Sequence, residues 1–483
     1  MRSLLLALRR LGSLALVPAL FSSCSLGTVE PEACRASAEC RAAFGFGHVC
    51  GDGGFCREGQ LDPRCTLIYP DDLLADAERY RDAIVIGAIQ DLSLETHRAR
   101  ANAVQLAVIQ ARELELFEGR QVALVACTNE ERTSLDRLTR EEASVRVAEF
   151  LVHELDLPAI IGPASSGDAV AVFEALEGSD TLLISPSATS TQLSELEPTP
   201  SDEAPGLLWR TAPPDALQGR VIAQDMIARG IASVAVVAQL DPYGAGLATV
   251  FEAAFAGAGR SVTRLPYDSG TIRDSHIVSV ASGDYDEMLF ISSSTQEVAG
   301  ALRAAELGWP ADRPIFLTDS AANQDLFAVA ASASSLFGLI RGTRPGSILG
   351  PAHLNFVASY SSHFADDPSR YSYTAHAFDA AWLALFGHFW AQGRLEPYGG
   401  RSLAKGLRHL SAGEPLNIEP SSLGAIATSL RMGVGVDLRG ASGELDYDPN
   451  TEETSGAIDL WVISGAGTAA DPWQITTEST VQP

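Results

Sequence analysis

The feature that most constrains this chain is a set of short, wholly apolar runs recurring between amphipathic stretches. Residues 84–89 (Ile-Val-Ile-Gly-Ala-Ile), 122–126, 159–161 and 182–184 are such runs, with helix-like periodicity at 99–116 and 141–155 between them. Runs this short, apolar on both faces, read as strands of a buried parallel sheet, and the helices between them cover its two faces. The alternation restarts after residue 210. It gives helices at 215–229, 244–258 and 296–307 and strands at 234–238, 262–265, 288–291 and 315–317. The repetition predicts two α/β lobes of like architecture, and the Pro-rich, acidic stretch 195–206 between them reads as a surface loop. The tail predicts helices at 353–364, 375–392 and 402–410, then antiparallel strands at 433–438, 443–447 and 458–463.

Two neighbouring strand ends stand out. The runs at 159–161 and 182–184 stop at Pro163 and Pro186 and open into Ser165-Ser166-Gly167 and Ser187-Ala188-Thr189-Ser190. A helix starting at a strand end presents free backbone N–H groups and the positive end of its dipole. Two such starts at the carboxyl edge of one sheet can hold a carboxylate between them. The competing reading is that Ser166 and Thr189 only cap their helices.

Across its 483 residues the chain carries a formal charge of −27, and Lys405 is its single lysine. An acidic surface of this kind argues against nucleic acid and against electrostatic docking on anionic lipid. At the amino terminus Arg2, Arg9 and Arg10 precede an apolar run at 11–21 and then Ser22-Ser23-Cys24. This resembles a bacterial lipoprotein signal over 1–23, cleaved before a lipidated Cys24, with 24–33 as the anchored linker. Phe21 departs from the usual aliphatic residue there, and a plain secretory signal is the alternative. Ser25, after the cysteine, is not the Asp associated with inner-membrane retention, which points to an outer-membrane tether. Export puts the thiols in an oxidising compartment. Cys34, Cys40, Cys50 and Cys56, in a Gly-rich segment too poor in apolar residues for its own core, predict a stapled module over 34–65 with two internal bridges of open connectivity. Zinc is disfavoured by the lack of close Cys-x-x-Cys pairs. Cys65 and Cys127 are left to tie the module's end to the sheet.

Catalytic signatures are missing: no Gly-x-Ser-x-Gly, His-Glu-x-x-His, Walker or Gly-x-Gly-x-x-Gly pattern occurs. His376 and Asp379 share a helix face, but the apolar residues around them predict burial rather than catalysis. Asp446, Asp448 and Asn450 alternate like calcium ligands, yet Pro449 and the lack of a turn glycine favour an acidic loop. No enzyme activity, cofactor or metal is expected.

The ordered set Ile-Gly-Pro-Ala-Ser-Ser (161–166), Ile-Ser-Pro-Ser-Ala-Thr (184–189), Trp-Arg-Thr-Ala-Pro-Pro-Asp-Ala-Leu-Gln-Gly (209–219) and Asp-Pro-Tyr-Gly-Ala-Gly-Leu-Ala (241–248) resembles the type 1 periplasmic binding proteins. Within these it is most similar to the branched-chain amino-acid receptors of ABC transporters. The later Tyr-Thr-Ala-His-Ala-Phe-Asp-Ala-Ala (373–381) and Gly-Ala-Ser-Gly-Glu-Leu-Asp-Tyr-Asp (440–448) fit as well. The resemblance covers roughly 83–463 and excludes the cysteine module. It implies two lobes joined by three hinge strands, closing on a ligand in the cleft. The first lobe takes 83–209 and 345–430, the second 210–344 and 431–475. It further implies that Ser166 and Thr189 bind a ligand carboxylate, with Gly167 and Ala188 beside them. The Ser187 carbonyl takes the ammonium, Tyr243 closes from the second lobe, Asp319 completes the ammonium site, and Ser293 lines the side-chain pocket.

Two stretches depart from the family pattern. The turn after the first strand reads Gln90-Asp91-Leu92-Ser93-Leu94-Glu95-Thr96-His97 rather than small and Gly-rich, and Ser292-Ser293-Ser294-Thr295 stands where aromatics are usual. Both sit where ligand selectivity is set, and they leave two alternatives: an amino-acid clamp with a side-chain preference more polar than leucine, or a ligand that is not an amino acid. The expected partners are a small amino-acid-like ligand, an ABC permease, and the membrane through the lipid alone. The alternative is a tethered sensor or envelope interaction protein.

Overall fold

The computed structural model describes residues 33–272, 274–346 and 348–482; the signal segment, Cys24 and most of the linker lie outside them. Two sheets form the body. In the first, strand order across the sheet is Leu67–Tyr69, Val122–Thr128, Ile84–Gln90, Ala159–Ile161, Leu182–Ser185 and Leu208–Arg210. All neighbours are parallel except the edge strand Leu67–Tyr69. In the second the order is Ser261–Tyr267, Ser233–Gln239, Glu287–Ile291, Ile315–Leu317 and Ile340–Pro345, all parallel, followed by antiparallel Ile458–Ser464 and Gln474–Val481. Each parallel core therefore runs outward in both directions from its first strand, the doubly wound arrangement that leaves a crevice at the carboxyl ends of the strands. The first-lobe strands Ile84–Gln90 and Val122–Thr128 are buried at every position, as a sheet covered on both faces requires.

The chain passes between the sheets at three places, between Arg210 and Asp215, between Pro345 and Pro351, and between Tyr447 and Ile458. The last differs from the sequence expectation, which returns the chain to the second lobe at 431. Val436, Leu438, Ala441, Leu445 and Tyr447 are buried in the first core. Val436–Arg439 pairs in parallel with Glu414–Asn417, and 443–447 is no strand but makes isolated bridges. Alternating apolar residues signal burial; they carry no information about which sheet buries them. The second lobe resumes only at Ile458–Ser464. Its edge strand Gln474–Val481, polar and mostly exposed, went unread because it lacks an apolar face.

Asp379, on the long helix Thr374–Arg394, pins that return segment: its carboxylate accepts from Ala441 N–H (2.9 Å), Ser442 N–H (2.7 Å) and Ser442 Oγ (2.6 Å). Its helix neighbour His376 is also buried, and burial together with the nearby Arg100 charge lowers its pKa to about 3. Asp448 organises the acidic loop, accepting from Asn450 N–H at 2.7 Å.

The disulfides are Cys34–Cys50, Cys40–Cys56 and Cys65–Cys127, so the clustered sulfurs of Cys34, Cys40 and Cys50 include no free thiol for a metal. The helix Ser37–Phe44 and the hairpin His48–Cys50/Cys56–Glu58 have little interior of their own. Instead Phe46 is buried in one core with Cys65, Tyr80, Val147 and Leu151 of the first lobe. Arg64, fully buried, pairs with Asp136 and donates to the Thr128 and Glu130 carbonyls, fixing the join. Among the described residues, no helix is long and apolar enough to cross a membrane.

Candidate functional site

The carboxyl ends of four strands from two sheets converge. Ser166 follows Ala159–Ile161, Ser187 and Thr189 follow Leu182–Ser185, Tyr243 follows Ser233–Gln239, and Asp319 follows Ile315–Leu317. All five are buried, Ser166 to 3% and Thr189 to 1% exposure, in a cleft whose walls touch. Hydrogen bonds that cross it include Tyr373 Oη to Asp319 Oδ2 (2.6 Å), Ser190 Oγ to the Pro242 carbonyl (2.7 Å), Thr96 Oγ1 to Asp325 Oδ2 (3.1 Å) and Gln324 N–H to the Arg370 carbonyl (3.4 Å). Gly167 meets Pro242 across the same gap, a Cβ built there lying 3.7 Å from its ring.

The two helix starts differ in kind from the sequence expectation. Ser165, not Ser166, caps the helix Ser166–Ala175, accepting from Asp168 N–H at 3.2 Å. Ser190, not Thr189, caps the second element, a five-residue 3₁₀ turn, Thr191–Glu195, too short to carry a helix dipole. Shifting each cap by one residue frees Ser166 and Thr189 for other work. The Ser166 hydroxyl accepts from both Thr189 N–H and Ser190 N–H (3.2 Å each), stapling the two strand ends together and leaving its own proton to donate. The Thr189 hydroxyl is buried and turned toward the Asp215 carboxyl, and Ala188 N–H donates to Ser185 Oγ (3.0 Å).

On the opposite wall Asp319 is densely held. Its Oδ1 accepts from Tyr243 Oη and from Gln218 Nε2 (3.2 Å), its Oδ2 from Tyr373 Oη. Burial and the Asp319 charge push both phenols well above their ordinary pKa, so they stay protonated and donate. Asp215, opening the helix Asp215–Ala228 after Pro213-Pro214, is wholly buried, and the Thr189 hydroxyl is a donor turned toward its carboxyl. Burial first, and Asp319 second, raise its pKa well above the carboxylate range.

Sequence reasoning missed Arg100. It lies on the helix Glu95–Glu113, one turn beyond Thr96 and one before Ala103 and Val104, within the stripe the helix buries. Its guanidinium, 6% exposed, donates from Nε to the Ser372 carbonyl (3.0 Å), from Nη1 to Ser187 Oγ (3.2 Å) and from Nη2 to Ser372 Oγ (3.3 Å). It also lies 5.0 Å from the centre of the Tyr373 ring, a cation–π distance. An arginine interrupting an apolar stripe was the available signal. Tyr373 itself has φ +65°, a left-handed conformation unusual for a bulky residue and held here by its two polar contacts. A separate cavity of about 440 Å³ lies on another side of Tyr373, walled by Tyr371, Ser372, His376 and Arg344, and none of Arg100, Ser166, Ser187, Thr189, Tyr243 or Asp319 lines it.

Ser293 does not join this group. It is exposed, and its hydroxyl and N–H both donate to Gln239 Oε1 (3.2 and 3.1 Å). Its strand end is polar, so it bonds along the sheet edge instead of lining an apolar pocket. The polar turn after the first strand is also locked, by the Asp91–Arg140 ion pair (2.8 Å) and by Asp91 N–H donating to His97 Nδ1 (3.3 Å).

A family profile described as periplasmic binding protein matches residues 84–407. A chemotactic signal transduction system substrate-binding protein, BasB, from Halobacterium salinarum is 28% identical over 381 residues, covering 77% of this chain and 83% of that protein. Among solved structures, the leucine-binding protein LivK of Thermotoga maritima superposes with a TM-score of 0.64 at 18% identity, over 83% of this chain and 99% of that one. A solute-binding protein of an ABC transporter from R. palustris, in complex with 4-hydroxybenzoate, gives 0.61 at 16% identity, over 83% and 97%. The profile spans most of both lobes, and the fold neighbours share the fold over most of its length. The chain belongs to the type 1 periplasmic binding protein family, whose members work outside the cytoplasm.

Proposed function

We propose that this protein is an envelope receptor that binds a small organic carboxylate, an amino acid or a related acid, in the cleft between its lobes and presents it to an ABC-type permease. The observation that carries the reading is the convergence of four strand ends on one buried polar cluster, with the Ser166 and Thr189 hydroxyls on one wall and Tyr243 and Asp319 on the other. Hydroxyl donors and a strand-end crevice suit a carboxylate. Its fold neighbours include structures in complex with isoleucine and with 4-hydroxybenzoate, which share that group. Lipid attached at Cys24 tethers the body, and the lack of Asp after it favours the outer membrane. No catalytic step is assigned.

A second reading, a sensor that reports the ligand without transporting it, is favoured by the likeness to a chemotaxis substrate-binding protein. A thermal-shift screen of the oxidised protein against amino acids and small carboxylates tests the shared core of both. A ligand at 100 times its Kd stabilises by about 2.7 kcal/mol. Ser166→Ala and Thr189→Ala each weaken binding; a hit indifferent to both places the ligand elsewhere. Radiolabelled palmitate incorporated by the wild type and lost in Cys24→Ala tests the tether.

A further inference from the structure

We infer that the ligand of this cleft is an organic anion without an α-ammonium group, and that Arg100 sets this preference by pairing with its carboxylate; the inference rests on the cleft being the ligand site. Arg100 is a buried cation with an incomplete set of partners. Its three hydrogen bonds go to neutral oxygens of Ser187 and Ser372, and among the described residues no carboxylate forms an ion pair with it. A guanidinium has five N–H donors, so one on each terminal nitrogen is left over, enough for a carboxylate to pair with. A charge buried at this cost is ordinarily matched by an opposite charge.

The same geometry closes the seat an ammonium group needs. That seat, as the family resemblance implies it, is bounded by the Ser187 carbonyl and the Asp319 carboxylate. Arg100 bonds the Ser187 side chain directly, which sets a fixed positive charge against any ligand ammonium. Asp319 already accepts from Tyr243, Gln218 and Tyr373, three donors on about four acceptor sites. Asp319 is the acid that faces Arg100, and those donors disperse its charge. Asp215, the other acid there, is pushed by burial toward its neutral, proton-donating form. The Thr189 hydroxyl, a donor turned toward Asp215, adds no further acid for a cation.

Matched ligands that differ only in the ammonium group test this by calorimetry on the oxidised full chain: leucine against 4-methylpentanoate, phenylalanine against 3-phenylpropanoate, with 4-hydroxybenzoate as a third acid. The expected result is that at least one simple carboxylate binds at least tenfold tighter than its amino-acid counterpart. Arg100→Met should then lose at least tenfold in affinity for it, and Arg100→Lys should recover part of the loss. Amino acids binding tighter than their deaminated counterparts overturn the inference while leaving the receptor reading in place, and this wild-type comparison stands even if an Arg100 variant fails to fold. Carboxylate affinity unchanged in Arg100→Met overturns it as well. No binding by any member of either series overturns the receptor reading and this inference together.

Discussion

In the first lobe the sheet ends in a three-residue strand, Leu67–Tyr69, and Cys65–Cys127 ties that edge to its neighbour. In the second, the far edge is the eight-residue Gln474–Val481, held by an antiparallel ladder to Ile458–Ser464, with no disulfide among the described residues. The facing walls of the cleft differ as sharply. The first lobe offers hydroxyls and a buried arginine; the second offers two carboxyls and a phenol, with Tyr373 reaching over from the first to join them. One strand order therefore supports two unlike edges and two walls of opposite charge. The difference lies in loop residues at the strand ends, which the packing of the sheets leaves free to vary.

The largest effect should come from the edge. Removing the Cys65–Cys127 bridge, which closes a 62-residue separation, should cost about 4 kcal/mol in the chain-entropy view. The loss should fall on the first lobe, whose Trp209, Trp382 and Trp390 report separately from Trp309, Trp461 and Trp473 in the second. Single-tryptophan variants in a denaturant titration would show it. A loss shared equally by both lobes would break the contrast. Next, Asp319→Ala strands three buried donors and should cost about 3 kcal/mol, read as a lower denaturant midpoint. Asp325→Ala, which frees a single cross-cleft bond, should cost far less.

Asp215 bears on the charge of the second wall. Its folded pKa is raised, so the folded state holds its proton more tightly than the unfolded chain does. Stability is accordingly lost as pH rises from about 4, the unfolded value, through the folded pKa. Asp215→Asn removes that limb, so its stability relative to wild type should climb with pH above about 4 and level below it. A difference flat across this range would show that the carboxyl is not perturbed. The smallest effect belongs to Thr96→Val, which deletes one cross-cleft hydrogen bond and should shift the open–closed balance by about 1 kcal/mol without altering either lobe's unfolding. Small-angle scattering of the free protein would detect the added open fraction.

Much of this was legible beforehand because the signals are local. Apolar runs at 84–89 and 234–238 are strands wherever they pack, and Tyr243 and Asp319 sit where strand ends bring them. Legibility fails where a partner distant in sequence decides. Whether Ser165 or Ser166 caps a helix depends on one residue of chain path, and that residue determines which hydroxyl is left for a ligand. The segment 436–447 looks the same in either lobe until Glu414–Asn417 pairs with it.

By itself, then, the sequence determined the βα alternation, the doubling into two lobes, the oxidised cysteines and the strand ends where a cleft must form, since all of these follow from periodicity and residue chemistry within short windows. Only the tertiary structure decided the pairing of the four module cysteines, the return point of the chain and the burial of Arg100. That arginine looks like any other on its helix until Ser187, Ser372 and Tyr373 are folded around it. Burial turns an ordinary surface charge into one that needs a counter-charge, and burial is a property of the whole fold.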